Sequence, residues 1–467
     1  MTVSNVNVSA ATISTYVYVA TGGETSKSGA DSNGATLSYT PGKEQVFLNG
    51  SLLVRSSDYT ATDGSSITGL TALAVSDILE VLSFSPFNVA NAVQASNFAA
   101  KGDVVAGTAA GTFTNLTVGN NGEALLANSS AATGLSYQPL NSAGKNAVIN
   151  GGMDIFQRSS TPTTGINTAA LTQAYVLDRW WVYSNGPAVT TSQQLTNDTT
   201  NLPSIQYCMR LQRQSGQTST TATVWDSPVE TKNAIMYAGK TVVFSFYARI
   251  SSTAIAGTTL SAALFTGTGT DQSGLGGYTG SLQPINISPT LTTTWQRFNA
   301  TATLGATITE FRTEFGVTWG TGTAGANDYV EITGVQLELG SVATTFSKAG
   351  GSIGGELALC RRYYWRETAT AAYTSFGQGL AYSTTQTRML IHTPGMRTMP
   401  SSTIEFGNLG LYDGTTMYPV TAASLAESGS DSILITYTVA SGLTQYRGYN
   451  LFGNNSTAAY VGFSAEL

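Results

Sequence analysis

The chain has 467 residues and a formal net charge of −6, from 21 Lys and Arg against 27 Asp and Glu. Charged residues make up only 10% of it, against about 25% in an ordinary soluble domain. It shows no basic stripe for a nucleic acid and no run of about 18 apolar residues to cross a membrane. Hydrophobic residues reach 41%, too many for a chain disordered by low hydrophobicity. Fifty Gly, with much Thr, Ser and Asn in place of helix formers, favour strands and turns. The expected fold is all-β, in about three domains at ~150 residues each.

Residues 1–86 read as one small β domain. The opening Met1-Thr2-Val3-Ser4-Asn5 lacks a positive region followed by an apolar run, so no secretory signal is expected. Tyr16-Val17-Tyr18-Val19 is a strand, and 77–82 another. Residues 45–54 form a hairpin turning at Asn49-Gly50, the strongest short hairpin signal, and Asp63-Gly64 repeats that logic. Asp31-Ser32-Asn33-Gly34 has the start of a calcium loop without its later ligands and reads as a plain turn.

Residues 87–145 are different. A short helix fits 88–100, and short apolar strands separated by Gly turns follow it. Large side chains are too few for this stretch to bury a core, and isolated hairpins are marginal in water. Three copies around one axis would supply the missing walls, so a homotrimeric shaft is expected; a flexible Gly/Ser linker is the alternative.

Residues 146–348 alternate clearly. Val242, Phe244 and Phe246 share one face of 241–250; Phe298, Ala300, Ala302 and Leu304 share one face of 296–304. Phe311, Phe315, Val317 and Trp319 oppose Arg312 and Glu314. In the last strand Val330 and Ile332 are even-numbered while Val335, Leu337 and Leu339 are odd, which predicts a β-bulge near Thr333-Gly334. After the glycines of 350–355, residues 356–365 make the best helix of the chain, short and connecting. Residues 366–467 are again β, with a turn at Asp413-Gly414, and are expected to form a second sandwich.

Two stretches carry a resemblance. Asn150-Gly151-Gly152-Met153-Asp154-Ile155-Phe156-Gln157-Arg158, reaching Asp178-Arg179-Trp180-Trp181, and Gly334-Val335-Gln336-Leu337-Glu338-Leu339-Gly340 with Ala343-Thr344-Thr345-Phe346 are similar to the opening and closing strands of a jelly roll. That jelly roll, like a carbohydrate-binding module, recurs in bacteriophage tail fibres. Glu356-Leu357-Ala358-Leu359-Cys360 before Tyr363-Tyr364 resembles a connector of the same family, and the order around Asp58-Tyr59-Thr60 resembles the N-terminal domain of short-tailed phage fibres. The resemblance implies an elongated homotrimeric fibre on the virion, made in the host cytoplasm. It implies an N-terminal domain (1–86) docked on the phage tail or an adaptor protein, a thin β shaft (87–145), a jelly roll (146–348), a hinge with a short helix (349–365) and a β-sandwich tip (366–467). Its implied function is attachment of the phage to a bacterial host through a surface polysaccharide or lipopolysaccharide. A head-mounted fibre and a polysaccharide depolymerase are the rivals.

Chemistry is sparse. His392 is the only histidine, and Ser or Cys nucleophiles usually need a positioned His. There is no paired Cys/His cluster for zinc and no Gly-rich phosphate loop between a strand and a helix. Cys208 and Cys360 are expected to be free and buried, and no cofactor is expected. A glycosidase needs only two carboxylates, but the visible acids have duller readings. Asp178 and Arg179 read as a local ion pair, and Glu331 and Glu338 as the polar side of a terminal strand. No enzyme is expected. Sugars stack C–H faces on aromatic rings. Trp180 and Trp181 read mainly as core; the glycan-binding candidates are Trp225 in a loop-like setting, Tyr278 in a Gly-rich loop, and Tyr412, Tyr418, Tyr446 and Tyr449 near turns of the tip.

Overall fold

The structure, a computed structural model, describes residues 13–84, 93–119, 123–139, 143–158, 163–166, 172–400 and 404–467. It divides into two compact units, Met1–Thr117 and Val118–Leu467. The described residues are nearly all strand and turn; Ile353–Arg361 is the one helix among them of more than about a turn.

In the first unit, Ile13–Val19, Ile78–Phe84, Glu44–Leu48 and Ser51–Leu52 form a four-stranded sheet in that order. Period-2 alternation turns Tyr16, Tyr18, Val46, Leu79 and Val81 onto one apolar core. Leu48 pairs with Ser51 across Asn49 (φ 48°) and Gly50 (φ 82°), the two left-handed residues of the expected tight turn. Asp63-Gly64 departs from expectation. The Asp63 carboxylate accepts the N–H groups of Ser65 and Ser66 at 2.9 and 2.8 Å, and Ser66–Ile67 pairs with Lys27–Ser28. The segment is a capped loop, not a tight hairpin. Asp31 likewise accepts N–H groups from Val17, Asn33 and Ala35, holding a turn.

The helix expected over 88–100 falls partly outside the described residues; from 93 onward only a single 3-10 turn, Ala95–Asn97, forms. Two hairpins follow, Val104–Ala109 with Thr112–Leu116 in the first unit and Glu123–Ala127 with Leu135–Pro139 in the second. No described residue of 93–139 joins an apolar core. Phe98, Val118, Leu125 and Leu126 are exposed.

The second unit contains a sandwich of two six-stranded antiparallel sheets. One runs Thr163–Ile166, Val189–Leu195, Tyr207–Arg213, Asp328–Leu339, Thr241–Ile250, Gln296–Thr303; the other runs Thr172–Leu177, Trp180–Ser184, Thr223–Val229, Glu310–Thr318, Thr259–Gly267, Leu282–Ile287. The inner faces carry the expected residues, with Phe246 edge-on to Phe315 at 4.9 Å. Burying each such side chain is worth roughly 1.5–3 kcal/mol. The bulge forms where the parity changes: Ser245 faces Gln336 but Tyr247 faces Thr333. Gly334 takes φ +58° there, and a Cβ on it would lie 2.7 Å from Ile205 and 2.8 Å from Tyr247.

The two motif stretches meet in one hub. The Asn150 side chain donates to the carbonyls of Ile155 (2.9 Å) and Asp178 (3.0 Å) and accepts the Ile155 N–H. Its backbone bonds Trp180 Nε1 and the carboxylate of Glu356. Val335 N–H donates to Gly151 at 2.9 Å. These residues therefore join the opening strands, the closing strand and the helix. Asp178 and Arg179 do not pair with each other. Asp178 accepts from Gln157 N–H (2.7 Å) and Nε2 (2.6 Å), while Arg179 reaches Glu466 and Pro228 O. Glu331 and Glu338 sit on a strand central to its sheet and are buried; Glu331 holds both Arg210 and Arg249.

The connecting helix starts earlier than expected, at Ile353, because Ser352 caps it by accepting Gly355 N–H at 3.1 Å. It ends at Arg361, and Tyr364–Thr368 leaves it as a strand beside Tyr460–Ser464. The tip is not a two-sheet sandwich. Ser375–Ala381, Gln386–His392, Ser432–Val439, Met417–Ser428, Leu409–Tyr412 and Gly448–Gly453 close into a six-stranded barrel around Leu411, Ile433, Ile435, Tyr437 and Leu451. Closure depends on pairing 375–380 with 448–452, strands far apart in sequence. Both cysteines are free and buried. No described helix is long and apolar enough to cross a membrane.

Candidate glycan-binding site

Antiparallel pairing puts the turns 381–386, 412–417 and 439–448 at one end of the barrel. The contacts that tie the barrel to the jelly roll come from the other end and its flanking sheet. Arg397 pairs with Asp271 at 3.0 Å, Glu466 with Arg158 at 2.6 Å, and Gln157 Nε2 donates to Tyr364 O at 2.9 Å. Among the described residues these contacts leave the first end out of the docking, and it is where Tyr412, Tyr418, Tyr446 and Tyr449 lie.

One carboxylate organises that end. Asp413 accepts N–H groups from Thr415 and Thr416 (2.9 and 2.8 Å) and the Thr415 hydroxyl (2.8 Å). Arg447 Nη1 lies 3.3 Å from its Oδ2, and Arg447 Nη2 donates to its carbonyl at 2.8 Å. The hydrogen bonds, led by that of Thr416 N–H, hold its carboxyl down at about 2, with Arg447 adding to the effect. Tyr412 OH donates to Gly414 O at 2.7 Å. Tyr418 meets Tyr449 edge to face at 6.0 Å, and the Tyr449 hydroxyl accepts Thr444 N–H at 2.8 Å.

Tyr446 stands apart. The residue is 78% exposed and its backbone is left-handed at φ +67°, with its N–H donating to Ala381 O at 2.7 Å. A left-handed residue with a Cβ costs about 1–2 kcal/mol, and an exposed aromatic ring recovers none of that by packing. Strain of this kind clusters at ligand-binding positions. Half-buried Tyr412 and Tyr418 at the same end and the exposed Arg447, next in the chain to Tyr446, offer ring faces and donors, part of the inventory that sugars use, while Asp413 is committed to its turn and to Arg447.

The other two candidates fare differently. Trp225 is not in a loop: it is the third residue of Thr223–Val229, fully buried in the jelly-roll core, and no ligand reaches its ring. Tyr278 does follow a Gly-rich turn, but it is buried, under the guanidinium of Arg312 (4.9 Å from the ring centroid). Tyr449 is also buried and supports Tyr418 rather than presenting its own ring. Sequence reasoning missed Asp413 and Arg447 as site residues. The Asp413-Gly414 turn was visible, but its pairing with Arg447 depends on barrel closure.

No family model matches the chain, and no curated protein matches it. Solved structures similar to part of it include a carbohydrate-binding module, CBM4 (13% identity, 41% of this chain and 99% of that one, TM-score 0.24). Another is the enzymatically active domain of tailspike protein 4 of bacteriophage CBA120 (14% identity, 42% of this chain and 21% of that one, TM-score 0.25). A third is a Stig cyclase from Fischerella (10% identity, 43% of this chain and 100% of that one, TM-score 0.27).

Proposed function

We propose that this protein is a bacteriophage tail-fibre subunit, a homotrimer that attaches the virion to a bacterial surface glycan without cleaving it. The observation that carries the reading is the exposed, strained Tyr446 among the tyrosines of the barrel's undocked end. The motif hub around Asn150 supports it, since those residues are the ones that resemble the fibre family. Adhesion is favoured over hydrolysis because the turns 381–386, 412–417 and 439–448 hold one carboxylate, Asp413, already committed to its turn, whereas glycoside hydrolysis uses a pair. Weak single sites suffice for adhesion. Three copies per fibre and several fibres per virion raise the effective concentration steeply. The N-terminal domain meets the tail or an adaptor protein in this reading.

The test is adsorption. Purified full-length protein should compete with the phage for host cells and release no reducing ends from host polysaccharide. Protein that is folded yet neither binds cells nor slows adsorption contradicts the reading, and released reducing ends would replace adhesion with depolymerisation.

A further inference from the structure

The four-stranded sheet of the first unit carries apolar rows on both faces. Its inner face holds Tyr16, Tyr18, Leu79 and Val81, and the loops between the strands close over it with Leu37, Tyr39 and Tyr59. The outer face has no such cover among the described residues. There Ile13 stands opposite Phe84, Val19 opposite Ile78, and Phe47 opposite Leu52. Ile13, Val19, Ile78 and Leu52 are exposed. An antiparallel sheet with one face in water alternates apolar-in with polar-out; here the outward row is largely apolar too. Contiguous apolar patches are uncommon on a monomer's surface and mark interaction sites.

The edges of the sheet are closed to strand addition. Along Ile13–Val19, Val17 N–H donates to Asp31 Oδ2 at 2.9 Å, and Val17 O accepts Ser32 N–H at 2.8 Å. The other edge strand, Ser51–Leu52, has two residues. Capped and very short edges block pairing with another chain. A partner therefore meets the face.

Two charges mark that face. Glu80 lies in its middle, opposite Val17 on one side and Phe47 on the other. Lys43 lies at its end, where its carbonyl accepts Phe84 N–H at 2.9 Å. Phe84 is four residues along the strand from Glu80, roughly 13 Å at ~3.3 Å per residue. Among the described residues neither the Lys43 nor the Glu80 side chain makes a hydrogen bond or an ion pair. Covering the face strips water from Glu80, and a buried carboxylate without a cation is costly. The occupant must bring a positive group to an otherwise apolar surface. The same face of another copy supplies both, through its apolar row and its Lys43.

We propose that copies of this chain pack on one another through the outer face of this sheet, Glu80 of one copy meeting Lys43 of the next. A head-to-tail contact of this kind closes into a ring when the rotation allows. The choice of a second copy as occupant rests on the homotrimer in the reading above.

Carbodiimide coupling of the full-length protein tests this, because the reagent joins a lysine amine to a carboxylate only where the two already touch. Coupled protein should run at two and three times the chain mass on denaturing gels. Mass spectrometry of those bands should find a peptide linking Lys43 to Glu80, absent from the single-chain band. Lys43→Glu should abolish the link, and Lys43→Glu with Glu80→Lys should restore it with the roles exchanged. Light scattering on the same uncoupled samples separates the failures. A three-chain mass without the link, or a folded double variant that stays unlinked, overturns this interface, gives the face to a different protein of the virion and leaves the homotrimer standing. A single-chain mass overturns both.

Discussion

Glu466, two residues beyond the last strand, is the counter-ion of Arg179, in the left-handed turn (φ +68°) that leads into Trp180–Ser184. The same carboxylate holds Arg158 at 2.6 Å, and the Arg179 guanidinium lies 3.7 Å from the centroid of the Tyr363 ring. The end of the barrel segment thus neutralises a cation that is 1% exposed inside the jelly-roll edge. Breaking a buried pair from one side strands the other charge, at a cost of about 3–5 kcal/mol. Glu466→Ala should lower unfolding free energy by that amount in denaturant titrations followed by Trp fluorescence. A loss under about 1 kcal/mol would show that Arg179 is satisfied without Glu466.

The hairpins of 104–116 and 123–139 predict assembly. Among the described residues each strand pairs only with its hairpin partner, Leu125 and Leu126 are exposed, and a two-stranded hairpin alone is marginal in water. Light scattering on the full-length protein should give three times the chain mass. Leu125→Asp with Leu126→Asp should shift it toward the single-chain mass while the jelly roll and barrel stay folded by circular dichroism. A monodisperse single chain for the unaltered protein would remove the homotrimer from the account.

The barrel's free end predicts an acid limit. Asp413 titrates near 2 when folded, below the ~3.9 of an unperturbed Asp. A depressed carboxyl stabilises its surroundings above the unfolded value and loses that contribution as pH falls through the folded one. Surface-glycan binding should therefore be level from neutral pH down to about 4 and fall away toward 2. A midpoint above pH 5 would mean that Asp413 does not set the geometry of this end.

Much of the fold was legible because period-2 alternation is local: Phe244 with Phe246 and Phe311 with Phe315 report their face from spacing alone. The parity switch from Ile332 to Val335 disclosed the bulge for the same reason. Trp225 was misread because Asp226 and Pro228 look like loop residues. Asp226 is tolerated in a central strand because Arg312 offsets its charge, and Pro228 because the Trp180–Ser184 neighbour pairs only as far as Asp226. Tyr446 was legible as a tip aromatic near a turn. Its place at the same barrel end as Tyr412 and Tyr418, and the reach of Arg447 to Asp413, were not, since these need a barrel closed between strands distant in sequence.

The most direct test of the adhesion account is binding of full-length protein to an array of bacterial surface polysaccharides, unaltered and as Tyr446→Ala. The account predicts that the unaltered protein binds at least one glycan. It predicts that Tyr446→Ala weakens this roughly two- to tenfold per site, as loss of one aromatic contact does, with a melting temperature little changed, because the side chain is exposed and Ala keeps the Cβ that carries the left-handed cost. A folded Tyr446→Ala that binds as tightly as the unaltered protein, or an unaltered protein that binds no glycan, would contradict it.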